Sequence, residues 1–329
     1  MSAALPLPIT SLIASPDHDI DPFRLRLQDP DAAIRRIAVL DLIDVAGDEH
    51  APLLIEALQD ASPQVRREAA RALEAFESDA SVAGLLALLT DEDSEVREAA
   101  AHALSELKDP DSALVLLPRA QDERPFVLVA ILRALRELRV PQSLEPALAA
   151  LTHADASVRR EAISVLGYLK QVRALAPIMQ LAASDGDPEV RRAATGALGF
   201  ASDDSVLPAL LAALRDAAWQ VREEAATTLG KLRLAAATAD LISALDDAYW
   251  QVRLRAARSL GRLRTAAAVL PLQQTLQHEI SNLRKEAALA LGEIGDAAAL
   301  PALLGAELDP DPEVRKAVRL ALEQIRSNH

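Results

Sequence analysis

A Val-Arg pair or a close variant returns ten times in this chain at an almost fixed interval, and that period limits the fold more than any other feature. The anchors are Ile34-Arg35, Val65-Arg66, Val96-Arg97, Val127-Leu128, Val158-Arg159, Val190-Arg191, Val221-Arg222, Val252-Arg253, Leu283-Arg284 and Val314-Arg315. Successive anchors lie 31 residues apart, except for one interval of 32 between Val158 and Val190. Such self-similarity belongs to a stack of small supersecondary units, none of which can bury its apolar face alone. The anchors number the repeats one to ten.

Repeat two shows the anatomy. Ser62 stands at a helix-capping position and Pro63 at the first helical position, and Val65, Ala69, Ala70 and Leu73 recur at helical spacing. Before them, residues 51–59 give a shorter apolar helix with Leu53, Leu54, Ala57 and Leu58. Each repeat therefore reads as helix, turn, helix. Half of the residues are hydrophobic but only 2% are aromatic, so the core is expected to consist of Ala, Leu, Val and Ile between closely packed helices. The expectation is one continuous array over residues 22–329, closed by a C-terminal cap repeat. Arg319 marks that cap, because it stands where earlier repeats place residues such as Ala70, Ile163 and Ala257. Residues 1–21 read as a partly ordered N-terminal arm.

A net charge of −14 works against nucleic acid and anionic membrane as partners. The absence of cysteine excludes disulfides and thiolate chemistry. No stretch is long and apolar enough for a membrane span, and the first 22 residues lack the Lys or Arg that begins a signal peptide. A cytoplasmic location is the expectation.

An Asp precedes the anchor by five residues in eight repeats: Asp29, Asp60, Asp91, Asp122, Asp185, Asp216, Asp247 and Asp309. With the Arg that follows each anchor, it predicts a ladder of hydrogen bonds between consecutive turns. His153 and His278 fill the same column and read as substitutes in that ladder.

The combination of Asp, Val-Arg, Ala-Ala and Leu-Gly at fixed places resembles the HEAT-like repeats of the phycobilisome-lyase type. Clear instances are Asp187-Pro188-Glu189-Val190-Arg191 leading to Ala197-Leu198-Gly199, and Asp311-Pro312-Glu313-Val314-Arg315 leading to Ala321-Leu322. The resemblance covers about residues 22–327 and implies an all-α solenoid, a superhelix of about ten helix-turn-helix repeats. Its wider members include bilin lyases, a di-iron hydroxylase and many scaffolding proteins. The hydroxylase would imply four His-Glu pairs as metal ligands, whereas this chain has one, His278-Glu279. A lyase-like or other cofactor-attachment activity would call on a groove carboxylate such as Glu223 or Glu224. No phosphate-binding loop, dinucleotide motif or serine elbow occurs, and no catalytic residue, cofactor or metal site is assigned.

The residues that break the repeat carry the functional expectation. The capping position is Asp or Ser in six repeats but Arg124, Ala218, Tyr249 and Ile280 in repeats four, seven, eight and nine. The chain's two tryptophans, Trp219 and Trp250, follow it in repeats seven and eight. With the anchor facing the core, Trp219 and Gln220, and then Trp250, Gln251, Leu254, Arg255 and Arg258, fall on the opposite stripe, which the family's geometry places on the concave face. Trp, Tyr and Arg concentrate at the energetic centres of interfaces. The expected partner site is Trp219, Gln220, Tyr249, Trp250, Gln251, Leu254, Arg255 and Arg258, gripping a partner protein of mixed acidic and apolar surface. Repeat four offers a secondary patch of Phe126, Val129 and Arg133, or else a flexible joint. The function expected is that of an interaction scaffold or an assembly or maturation factor.

Overall fold

The computed structural model describes residues 21–45, 47 and 50–327. The arm expected over 1–21 lies, all but Asp21, outside the described residues. The described residues fold as an all-α solenoid of paired helices without a strand, and none of the helices is long and apolar enough to cross a membrane. They divide into two compact units, one ending at Leu138 and the other beginning at Arg139.

Repeats one to four make up the first unit. In repeat two the short helix Ala51–Ala57 precedes Pro63–Ala72, and Leu53, Leu54, Ala57 and Leu58 are all buried with Val65, Ala69 and Ala70. Asp31 and Asp93 cap their helices through backbone N–H groups. Ser62 departs from expectation: its hydroxyl bonds to the Gln64 side chain, and Asp60 accepts the Ser62 N–H instead.

Repeats five to ten make up the second unit. Their second helices are Ala156–Leu169, Pro188–Ala197, Trp219–Leu232, Trp250–Leu263, Ser281–Ile294 and Pro312–Ser327. The Leu-Gly glycine lets these helices approach. A Cβ built on Gly261 would lie 2.8 Å from Ala290 Cα, and one on Gly230 would lie 2.1 Å from Ser259 Oγ. Ser259 uses the closeness to donate its hydroxyl to the Ala226 carbonyl of the preceding helix at 2.7 Å. On the last helix Arg319 is exposed.

The Asp-Arg ladder runs along the turns. In the first unit Arg35 forks onto Asp60 and Arg66 onto Asp91, each through Nε and Nη2 at 2.7 Å. In the second, Arg159, Arg191, Arg222 and Arg284 fork onto Asp185, Asp216, Asp247 and Asp309 at 2.7 to 3.0 Å. Each rung thus ties the arginine of one repeat to the carboxylate of the next. Burial alone would raise the carboxyls of Asp60, Asp91, Asp185, Asp216 and Asp247. The arginine fork and a backbone N–H outweigh it and hold them below the ordinary value. His153 and His278 take the Asp place as the sequence suggests, with Nδ1 accepting the Asp155 and Ile280 N–H groups at 3.0 Å. In repeat four, Asp122 pairs with Arg124 at 2.6 Å rather than with Arg97, and the guanidinium lowers its carboxyl to about 2.

Candidate functional site

The aromatic residues of repeats seven and eight sit at the N-terminal ends of their second helices. Neither helix has a side-chain cap, because Ala218 and Tyr249 hold that position. The ladder covers the loss: Asp216 accepts the Ala218 N–H at 2.8 Å and Asp247 accepts that of Tyr249 at 2.9 Å. The capping position is thereby free to hold a ring. Trp219 stacks on Tyr249 of the next repeat, with centroids 5.6 Å apart and planes 14° from parallel, an offset stack. The Arg222 guanidinium lies over the same Tyr249 ring at 5.6 Å, so a single arginine serves both the rung to Asp247 and the aromatic stack.

This packing sorts the expected residues. Trp219 is half-buried in the stack, while Tyr249 and Trp250 remain 45% and 39% exposed. Gln220, Gln251 and Leu254 are half-buried, and the Gln251 Oε1 is buried with no hydrogen-bond partner. The two stripe arginines are already committed. Arg255 donates to Glu223 of the preceding repeat at 2.9 Å, and Arg258 forks onto the buried Glu286 of the following repeat at 2.7 and 2.8 Å. They brace neighbouring helices, and their charge is compensated within the chain. In the first compact unit, Phe126 and Arg133 are exposed and Val129 half-buried on one helix, Pro125–Leu138.

A cation that the sequence reading assigned only to the ladder emerges instead. Arg253 faces the column in which His278 replaces Asp, so no carboxylate receives its fork. It forms no hydrogen bond or ion pair, and its Nε is buried without a partner. Trp250 and Arg253 are three residues apart on one helix and share a side of it. An exposed indole and a half-buried guanidinium that no carboxylate hydrogen-bonds therefore stand together. Such an arrangement suits an incoming group that is apolar in part and carries a carboxylate. Among the described residues no group of three or more His, Asp or Glu is placed to hold a metal ion.

Fold and site together define a helical-repeat solenoid with an exposed aromatic and cationic surface. HEAT repeats are matched at residues 20–105, 51–136, 113–199, 175–249 and 238–323, and the chain belongs to the HEAT-repeat family. No curated protein matches it. Among solved structures it is similar to Kap95p in a complex with RanGDP, with 16% identity and a TM-score of 0.62 over 93% of this chain and 49% of Kap95p. It thus spans about half of that protein's length. An engineered protein is 22% identical at a TM-score of 0.51, covering 94% of this chain and 99% of its own. The Escherichia coli YIBA protein is 20% identical at 0.50, covering 91% and 99%. At these identities the likeness is one of fold.

Proposed function

We propose that this chain is a non-enzymatic interaction scaffold, or an assembly factor, whose main anchor for a partner protein is the face formed by Tyr249, Trp250, Leu254 and Arg253. The observation that carries the reading is the pairing of exposed aromatic rings with an arginine that lacks its ladder carboxylate. Large rings and arginines supply most of the binding energy at protein interfaces, and a half-buried cation that lacks a hydrogen-bonded carboxylate is stabilised by one brought to it. The partner accordingly presents an Asp or Glu beside an apolar side chain. HEAT-repeat structures of similar fold bind proteins, Kap95p to RanGDP and Kap121p to Nup53p among them. Within the HEAT family the Asp-Pro-Glu-Val-Arg motifs favour the phycobilisome-lyase type of repeat.

The test is quantitative capture from a native extract by wild type, by Trp250→Ala, and by His278→Asp, which supplies the missing carboxylate to Arg253 from within the chain. A protein retained by wild type and lost by both variants, with unchanged helicity, supports the reading. Equal retention by all three refutes it.

A further inference from the structure

The one long interval of the repeat, between Val158 and Val190, coincides with an opening in the stack. The first helix of repeat six, Leu175–Ser184, has 10 residues, where those of repeats five, seven, eight, nine and ten have 6 or 7. The second helix, Pro188–Ala197, gives way after 10 residues to a 3-10 turn, Leu198–Phe200. Packing at the Leu-Gly glycine relaxes at the same place. A Cβ on Gly167 would meet Ala197 Cβ at 3.7 Å, whereas at the equivalent positions of repeats seven, eight and nine it would meet Ser259, Ala290 and Ala321 Cβ at 2.5, 3.0 and 2.9 Å. The helices that elsewhere touch here stand back.

The space so opened is a cavity of about 560 Å³ within the second compact unit, in the size range of small-molecule sites. Gly167, Gly196 and Ala197 give it a small apolar floor, and Arg139, Lys170 and Arg192 bring three cations to its walls. In a chain of net charge −14 this is a local reversal of sign. Arg192 is paired with Glu189 at 2.9 Å, but Lys170 forms no ion pair, and Arg139 lies over the Tyr168 ring at 5.2 Å rather than beside a carboxylate. Both stand in the left-handed region, at φ of 52° and 54°, where repeat nine uses Gly295, so each long cationic side chain is kept at a backbone cost that glycine avoids. Arg264 shares that conformation, but the cavity beside it is lined by Glu293 and Glu323. Around Lys170 the one lining acid is Glu224, which forms no hydrogen bond or ion pair. Burial raises the Glu224 carboxyl above its ordinary value, so its charge opposes an anion less than a solvated carboxylate would.

We propose that this cavity binds an organic oxyanion, a carboxylate or phosphate on a small apolar body, with the anionic group held by Arg139 and Lys170 and the body seated on the glycine floor beside Tyr168. The site is separate from the aromatic surface of repeats seven and eight and does not depend on it. The same anionic group comes either on a free small molecule or on a phosphorylated or acidic side chain of a peptide.

The test is calorimetric titration of the full chain with benzene-1,3-dicarboxylate, with its neutral diamide, with phosphotyrosine, and with a peptide carrying one phosphotyrosine. The dicarboxylate or phosphotyrosine binds and the diamide does not. Lys170→Gly and Arg139→Gly each weaken binding about tenfold, the loss of one charge-assisted contact. Both replacements suit the left-handed backbone, so the melting temperature holds or rises and unfolding cannot account for the loss. Glu224→Gln removes an opposing charge and tightens binding several-fold. Tighter binding of the peptide than of phosphotyrosine assigns the ligand to a partner protein, and equal or weaker binding assigns it to a small molecule. Absence of binding by every anionic probe, or binding unaffected by both glycine variants, overturns the proposal.

Discussion

Gly167 and Gly261 occupy the same place in their repeats, nine residues after the anchor and two before the end of a 14-residue helix. Replacing either by Ala gives the same gain in helix propensity, about 0.5–1 kcal/mol, so a comparison of the two substitutions reads packing alone. At Gly167 the new methyl meets Ala197 Cβ at 3.7 Å, an ordinary contact, and Gly167→Ala is expected to stabilise the chain by about 0.5 kcal/mol. At Gly261 it meets Ala290 Cα at 2.8 Å, a backbone atom that cannot swing aside. Carbon atoms prefer about 3.5–4.0 Å, so the two helices must part by roughly 0.7 Å or more, and overpacking of this kind costs about 1–3 kcal/mol. After subtraction of the propensity gain, Gly261→Ala is expected to destabilise by about 0.5–2 kcal/mol. Repeat arrays do not always unfold in one step, so urea denaturation followed by circular dichroism is best paired with hydrogen exchange. The loss in Gly261→Ala should concentrate in Trp250–Leu263 and Ser281–Ile294. If Gly261→Ala stabilises as much as Gly167→Ala, the difference in helix approach, and with it the opening beneath repeat five, is refuted.

His278→Asp restores a rung to Arg253 while keeping an acceptor for the Ile280 N–H, and should raise stability by about 1 kcal/mol in urea denaturation. Asp247→Ala removes the acceptor of both the Arg222 fork and the Tyr249 N–H. It leaves a half-buried guanidinium unpaired, at a cost of about 2–4 kcal/mol and with loss of the Trp219 and Tyr249 stack, visible in tryptophan fluorescence. The ladder carboxyls have folded values below their unfolded ones, so their stabilisation is complete above pH of about 4 and is lost as pH falls through the lowered folded values. An acid titration of the melting temperature should therefore be flat near neutrality and drop below that point, and Asp185→Asn should make the drop shallower. Arg233→Gly, in the left-handed conformation at φ 53° and without an ion pair, should stabilise by about 1 kcal/mol.

The fold is legible in the sequence because one set of interactions serves every repeat. The anchors mark the second helices, and His153 and His278 can be read as ladder substitutes because their column is otherwise Asp. The candidate site is legible only in outline. The column of Trp219 and Trp250 identifies the place, but the ring that stacks on Trp219 is Tyr249, one position away in the next repeat. Arg255 and Arg258 read as free charges when each helix is taken alone. Their partners, Glu223 and Glu286, lie 32 and 28 residues away, on the second helices before and after. The missing rung of Arg253 has a signal in the sequence, since the residue 25 positions after a ladder arginine is its acceptor in most of the rungs, and for Arg253 that residue is His278. The cavity at repeats five to seven had only the 32-residue interval to announce it.

These two departures from the repeat act through different physics, and that difference separates the two sites. A substitution such as His278 leaves the backbone in register, so the stack stays closed and the consequence is electrostatic: Arg253 loses the carboxylate that its place in the ladder would give it. An inserted residue displaces backbone, and since neighbouring helices are held together by contacts of a few ångströms at a glycine, a small displacement removes the contact and leaves space. The first kind of exception yields a surface that a partner's carboxylate completes, and the second yields a hollow that a ligand fills. In a chain whose regular positions all serve the stack, the chemistry of each exception is thus set by whether the residue was exchanged or added.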